Sequence, residues 1–158
     1  ARYAFQRGLG TYFRGDVAGS DKRFPFSFQS VVPSKTICVF ESAIDLMSYA
    51  TLLERDGKDF RAFHLLSVEG VHMPKKEAAD SKLPLALSQF LKDIPDVQKL
   101  VLHFDNDVVG RYAAAMVTTL LPGYAVRARF PPPEYKDVND FLTGKKMEPE
   151  RIVTTPAR

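Results

Sequence analysis

From Thr36 onward, short runs of β-branched and aromatic residues alternate with longer segments whose apolar positions have helical spacing. Four runs are predicted strands: 36–40, 61–67, 99–104 and 124–130. Four segments are predicted helices: 42–55, with Ser42 as its N-cap, 83–92, 110–121 and 138–142. Alternation of this kind is typical of βαβ units. We therefore predict an α/β fold, a parallel sheet of about four strands sandwiched by helices.

The first 34 residues break this rhythm. Phe24, Phe26 and Phe28 alternate with other residues as in a half-buried strand, and Gly15 and Gly19 mark turns. We therefore expect a small β-rich extension before the α/β unit. The predicted division is a lobe at 1–34, a domain at 35–145 and a tail at 146–158. The chain opens with Ala in the middle of a pattern, so we expect it to belong to a longer protein.

Composition limits the class of protein. A length of 158 residues with 45% hydrophobic content is enough for one domain with a real core. No apolar run approaches the roughly 20 residues of a membrane span, and no secretory signal is recognisable. The single cysteine, Cys38, lies inside an apolar run and is expected to be core filler. A cytoplasmic protein without a membrane partner is the expectation.

Basic residues concentrate near the start of the chain. Residues 1–35 hold six Lys and Arg against two acids, whereas the remainder holds sixteen against seventeen. Two interpretations remain open for them, a nucleic-acid-binding surface and a solvated face around a small aromatic core. The candidates for phosphate contact are Arg7, Arg14, Lys22 and Arg23, with Lys75 and Lys76 as candidates further along the chain.

Acidic residues directly follow two of the predicted strands. Glu41 follows the strand at 36–40, and Asp105 and Asp107 follow the strand at 99–104. If the strands are neighbours, three carboxylates converge, and like charges so close together need a counter-ion. Mg²⁺ is the natural one because it prefers carboxylate oxygen and also binds phosphate. Taken singly, Glu41 is also compatible with a first-turn helix acid and Asp105 with an N-cap.

These two motifs resemble those of a known family. The signature motifs of the Toprim domain are an apolar strand ending in Glu and a later apolar strand ending in Asp-x-Asp with a downstream Gly. Two segments of this chain look like them: Val39-Phe40-Glu41-Ser42-Ala43-Ile44-Asp45 and Phe104-Asp105-Asn106-Asp107-Val108-Val109-Gly110-Arg111. The family includes bacterial primases, topoisomerases and nucleases. The resemblance implies a Mg²⁺ site, with Mn²⁺ as an alternative, in which Glu41, Asp105 and Asp107 are catalytic. It also singles out Asp45, Gly110 and Arg111, the last as a nucleic-acid contact.

A third segment supports the resemblance but departs from it. Lys136-Asp137-Val138-Asn139-Asp140 is similar to the primase stretch that carries Asp-Pro-Asp. An amide therefore replaces the second acid, and Asn139 would offer a metal its carbonyl oxygen without charge. The implied ligands are Glu41, Asp105, Asp107, Asp137 and Asn139. Gly70, after the second strand, is either a site of close nucleotide approach or a plain tight turn.

The segment from Gly8 to Phe28 resembles the region that precedes Toprim-like domains in primase-type proteins of bacterial plasmids and conjugative elements. Together, these resemblances imply a primase-like nucleotidyltransferase that acts in replication or mobilisation of a mobile element. Single-stranded template DNA and nucleoside triphosphates would be its partners, with a helicase or relaxase as a further one. Two alternatives stay open, a Toprim nuclease and a non-catalytic nucleic-acid-binding module.

Overall fold

The computed structural model describes residues 2–11, 13–71 and 82–148. Its strands are β1 (Phe5–Arg7), β2 (Arg14–Asp16), β3 (Ser27–Phe28), β4 (Thr36–Phe40), β5 (His64–Ser67), β6 (Lys99–His103) and β7 (Ala125–Ala128). Its α-helices are α1 (Ala43–Arg55), α2 (Leu85–Asp93), α3 (Val108–Leu120) and α4 (Val138–Thr143). The predicted Lys75 and Lys76 lie outside the described residues.

The main sheet has five strands in the order β3-β5-β4-β6-β7. β4 pairs in parallel with both β5 and β6, β6 pairs in parallel with β7, and only the edge strand β3 is antiparallel. The predicted fold class, a mainly parallel sheet between helices with a small β-rich extension, is confirmed. Because β4 and β6 are neighbours, the residues that follow them meet at the same edge of the sheet.

Helices cover both faces of the sheet. Ile37 and Val39 of β4 lie in one apolar cluster with residues of α2 and α3, whereas Cys38 and Phe40 lie in a second cluster with residues of α1 and α4. Burial on both faces explains why β4 reads as a continuous apolar run rather than an alternating one. Cys38 is buried, as expected of core filler.

Four strands are shorter than predicted. The strand predicted at 99–104 ends at His103, and the one predicted at 124–130 spans Ala125–Ala128. The predicted strand 61–67 begins only at His64, because a 3₁₀ turn occupies Phe60–Ala62 and Asp59 caps it by accepting a hydrogen bond from the Arg61 N–H. The predicted strand around Phe24–Phe28 shrinks to Ser27–Phe28, which adds an edge to the main sheet. The domain boundaries at residues 34 and 145 stay predictions.

Ahead of the sheet, β1 and β2 form an antiparallel hairpin in which Arg7 stands opposite Arg14. Leu9 at its tip is 99% exposed and Phe13 is 60% exposed. Like charges directly opposite each other destabilise a hairpin. The Arg7–Arg14 pair therefore does not contribute to the stability of this hairpin. In the described part of the chain, no helix is long and apolar enough to cross a membrane.

Candidate functional site

The register of the sheet brings Glu41 beside Asp105. Phe40 at the end of β4 pairs with His103 at the end of β6, so the next residues of both strands leave the sheet together. The backbone N–H of Asp105 donates to Glu41 Oε1 at 3.0 Å. The acids that were predicted to meet at the carboxyl ends of neighbouring parallel strands therefore lie side by side.

Asp107 is the N-cap of helix α3. Its Oδ1 accepts a hydrogen bond from the Gly110 N–H at 2.9 Å, the usual geometry of an N-cap. Gly110 in turn packs directly on the loop, since a Cβ at this position would lie 2.2 Å from the carbonyl oxygen of Asp105. The first turn of α3 thus rests on the backbone that carries the acids, and only glycine leaves room for that contact.

A lysine lies between the two aspartates. Lys136 Nζ is 2.9 Å from Asp105 Oδ2 and 3.8 Å from Asp107 Oδ2. The main chain of Lys136 is held in place as well, because its carbonyl accepts a hydrogen bond from the Asn106 N–H at 2.6 Å. The loop before α4 is therefore fastened to the loop before α3, and a single ammonium group bridges two carboxylates.

The third segment approaches the site from α4. Asp137 caps this helix by accepting from the Asp140 N–H. Desolvation raises the pKa of both Asp45 and Asp105, and the charge of Asp137 adds to both shifts. Asp140 is buried and pairs with Lys145 Nζ at 3.5 Å. Of this segment, Lys136 contacts the aspartates directly, whereas Asp137 caps the helix and Asp140 has its own ion pair.

Asn139 joins α4 to α1. Its N–H donates to Asp45 Oδ1 at 3.2 Å, and its side-chain Oδ1 accepts from the Ser48 hydroxyl at 3.2 Å. Asp45 also accepts from the Ser42 hydroxyl through Oδ2 at 2.5 Å. The carbonyl oxygen that was predicted to reach a metal is thus engaged with α1, and the role of Asn139 as a ligand stays a prediction. The buried Asp45 anchors the helix that carries Asp137.

Burial and mutual repulsion raise the carboxyl pKa values. Desolvation, followed by the charge of Asp105, raises the pKa of Glu41 to about 7. Desolvation also raises the pKa of Asp45 to about 6. The pKa of Asp105 is raised by desolvation as well, with the Lys136 ammonium opposing the shift. Crowded, partly desolvated carboxylates are the setting in which a cation stabilises the charged form most strongly.

These shifts predict how stability depends on pH. The folded pKa values of Glu41 and Asp45, about 7 and about 6, lie above their ordinary values of 4.5 and 3.8. Between about pH 4 and 7 the folded state therefore binds more protons than the unfolded chain, so the free energy of unfolding without metal falls as the pH rises. After allowance for solvent screening, we expect Glu41 to contribute about 1–2 kcal/mol to this loss.

Urea unfolding at about pH 5 and about pH 7.5, with divalent metal removed, measures the effect. Glu41→Gln should flatten the pH dependence, because the amide oxygen still accepts the Asp105 hydrogen bond but does not titrate. If the free energy of unfolding of this variant depended on pH as in the parent, Glu41 would not be the source of the pH dependence.

Two further residues singled out by the sequence, Gly70 and Arg111, border the site. Gly70 adopts φ +101°, which favours glycine, and its N–H donates to the carbonyl of Glu41 at 2.8 Å. It thereby closes a turn beside the first acid. Arg111 on α3 donates to Asn106 Oδ1, and its guanidinium lies 4.5 Å from the centre of the Phe130 ring. Its predicted contact with nucleic acid stays a prediction.

The carboxylates of Glu41, Asp105 and Asp107 are suitable ligands for a hard divalent cation, although their oxygens do not surround a common point in this structure. In the residues that the structure covers, no group of three or more His, Cys, Asp or Glu is arranged closely enough to hold a metal ion. Asp105 and Asp107 nevertheless already direct one oxygen each toward a single cationic atom, Lys136 Nζ. Carboxylates are the ligands that Mg²⁺ prefers.

Sequence reasoning missed two contacts. Ser48 holds the Asn139 amide, yet nothing in the sequence distinguishes it from other small residues on a helix. The bridge from Lys136 to the aspartates is the second. Its only signal is that Lys136 precedes the acid of the third segment, and that signal does not reveal which acids the amine reaches.

Comparison with known proteins identifies the class. The family model described as Toprim-like matches residues 38–142, about two thirds of the chain. The chain therefore belongs to the Toprim-like family, whose domains generally bind divalent metal ions, typically Mg²⁺.

Among solved structures, the chain is similar to the primase fragment of the bacteriophage T7 primase-helicase protein. The two are 24% identical with a TM-score of 0.46, and the match covers 70% of this chain and 40% of that fragment. No curated protein sequence is significantly similar to the chain.

Proposed function

We propose that this domain is a magnesium-dependent phosphoryl-transfer unit of the primase type, which acts on nucleic acid. The observation that carries the proposal is the contact of Glu41 with Asp105 at the edge of a parallel sheet. The ammonium group of Lys136 bridges Asp105 and Asp107 beside that contact. Membership of the Toprim-like family supports a function in nucleic-acid chemistry.

In this proposal, Asp105, Asp107 and Glu41 hold the metal, and Asp137 adds negative charge from α4. A bound Mg²⁺ would neutralise phosphate oxygens and the charge that develops on them. Glu41 has a pKa of about 7, which suits either a ligand or a group that exchanges protons near neutral pH. Both roles are compatible with its position.

We propose one tightly held ion rather than two. Asn139 contributes no charge, and its oxygen already accepts a hydrogen bond from Ser48. On the α4 side, the Asp137 Oδ1 is engaged in capping the helix, and the Asp45 Oδ1 accepts a hydrogen bond from the Asn139 N–H. Closely spaced ions need several bridging anions, so the α4 side offers a poorer site.

Nucleotidyl transfer, nuclease activity and simple binding are separated by one experiment. The protein is incubated with single-stranded DNA, nucleoside triphosphates and Mg²⁺, and in parallel with labelled DNA and Mg²⁺ alone. We expect template-dependent oligonucleotide synthesis that chelation of Mg²⁺ abolishes. Cleavage without nucleotides would select the nuclease instead, and DNA binding without either product would select the binding module. Participation of a helicase or relaxase, and a role in mobile-element replication, are extensions of the proposal that rest on sequence resemblance alone.

The β1–β2 hairpin is the surface that we propose for the nucleic-acid backbone. Lys22 pairs with Asp16 at 2.8 Å and Arg23 pairs with Asp21 at 2.6 Å. Arg7 and Arg14 face each other across the hairpin, and neither forms an ion pair with any acid that the structure describes. A phosphate between them would relieve their repulsion.

The salt dependence of DNA binding tests this assignment. For a single strand, the slope of log K against log salt changes by about 0.7 for each phosphate contact, so Arg7→Ala combined with Arg14→Ala should make the slope shallower by about 1.4. The matched control, Lys22→Ala with Arg23→Ala, removes the same charge from residues already paired with acids and should change the slope less. Fluorescence anisotropy with labelled single-stranded DNA measures both. Equal effects of the two double variants would remove the special role of Arg7 and Arg14.

A further inference from the structure

Lys136 occupies the position where a metal-bridging charge is expected. Its amine lies within 4 Å of one oxygen of each aspartate, at 2.9 Å from Asp105 and 3.8 Å from Asp107. An ammonium group and a divalent cation seek the same carboxylate oxygens. They therefore compete for these two residues.

The backbone that carries Lys136 is fixed beside the aspartates by two hydrogen bonds. The Asn106 N–H donates to the Lys136 carbonyl at 2.6 Å, and the Asn106 side-chain amide reaches the Tyr135 carbonyl at 3.4 Å. Both backbone contacts hold the lysine beside the acid pair. By contrast, Lys58 pairs with Asp56, an exposed neighbour in the same turn.

The amine is placed so that it can leave. The side chain of Asp105 is only 15% exposed, whereas that of Lys136 is 48% exposed and therefore has water within reach. A lysine side chain is long and flexible, so its ammonium group can withdraw to solvent while its backbone stays anchored. A dication brings twice the charge to the same oxygens.

We infer that Lys136 is an exchangeable internal counter-ion, which holds Asp105 and Asp107 together without metal and must be displaced before a divalent cation binds. The inference rests on the proposed metal site. It assigns Lys136 a positioning role that lowers the apparent affinity for metal and keeps the site assembled between metal-binding events.

Isothermal titration with Mg²⁺ compares the parent with Lys136→Met. Loss of the competing ion pair should tighten Mg²⁺ binding by about fivefold, the upper end of the effect of one partly exposed pair. Lys136→Arg keeps the charge and should bind Mg²⁺ like the parent. The matched control is Lys145→Met, which removes an exposed lysine from its ion pair with Asp140 of α4 and should also bind Mg²⁺ like the parent.

A second measurement uses the parent protein, so that it does not depend on folding of the variant. Acylation of Lys136 by an amine-reactive ester, read by peptide mass spectrometry, should become faster when Mg²⁺ is added, whereas acylation of Lys58 should not change. Equal Mg²⁺ affinity of the parent and Lys136→Met, or acylation of Lys136 that is indifferent to Mg²⁺, overturns the inference and leaves the proposed metal site standing. Absence of Mg²⁺ binding by both proteins overturns the two together, and binding by Lys136→Met alone supports the inference.

Discussion

Asp107→Asn should abolish most of the Mg²⁺ response and lower any phosphoryl-transfer rate by at least about 100-fold, because a catalytic metal supplies several kcal/mol of charge stabilisation. The substitution is well suited to the structure. Asp107 caps α3 through Oδ1, and Asn is as good an N-cap as Asp, so the helix keeps its first hydrogen bond. Asp105→Asn should have the same effect on metal binding, since its side chain is the more buried of the two.

Thermal melting across a Mg²⁺ titration, with activity measured in parallel, checks this prediction. The parent should melt at higher temperature as Mg²⁺ increases, because the assembled site exists only in the folded state. The control Asp56→Asn removes an acid that also pairs with a lysine, Lys58, but lies at the far end of α1, and it should respond like the parent. A full Mg²⁺ response in the Asp105 and Asp107 variants would make the cluster structural.

Gly110→Ala should destabilise the protein and weaken Mg²⁺ binding together. Alanine normally stabilises a helix relative to glycine by about 1 kcal/mol. Here its Cβ would lie 2.2 Å from the Asp105 carbonyl oxygen and 3.0 Å from the Asp105 carbonyl carbon and nitrogen. Backbone atoms cannot move aside as a flexible side chain does, so overpacking should dominate, with a net loss of about 1–3 kcal/mol in the free energy of unfolding. The displaced loop carries Asp105, which explains the coupled loss of Mg²⁺ affinity.

Gly123→Ala is the matched control, because a Cβ there meets open space. Urea unfolding and Mg²⁺ titration of both variants separate a local clash from a general effect of replacing glycine. If Gly110→Ala unfolded like the parent and bound Mg²⁺ equally well, α3 would not be positioning the acid loop through this contact.

Much of the fold could be predicted because its elements are local and strongly patterned. The apolar run Thr36–Phe40 is a strand with the predicted bounds, and the predicted N-cap Ser42 accepts from the Asp45 N–H. The strand that ends at Ser67 was predicted to begin at Arg61, three residues too early. Residues 61–63 continue the sequence pattern of the strand, but the Asp59 carboxylate accepts hydrogen bonds from Arg61 and caps a 3₁₀ turn there. The 3₁₀ turn is held by local hydrogen bonds, from the Arg61 N–H and guanidinium to the Asp59 carboxylate, which the pattern of apolar residues does not reveal.

The site could be predicted only in part, for a related reason. Residues placed directly after buried strands, such as Glu41 and Asp105, take their positions from the sheet. They meet because β4 and β6 are neighbours, although β5 lies between them along the chain, and the sequence prediction contained that adjacency only as a condition. The partners of Lys136 and Asn139 depend instead on how the loop before α4 and the helix itself pack against α3 and α1. Sequence spacing contains no measure of that packing, so neither the ammonium bridge nor the Ser48 contact was expected.

The most direct test of the central claim is a crystal structure of the protein soaked with Mn²⁺, with the ion located by its anomalous scattering. We expect one strong peak at the carboxyl ends of β4 and β6, bound by Glu41, Asp105 and Asp107 at about 2 Å, the coordination distance of small divalent cations. The Lys136 amine should have moved away from both aspartates. A saturated crystal with no peak at these residues would contradict the proposed metal site. So would an ion bound elsewhere while Lys136 still bridges Asp105 and Asp107.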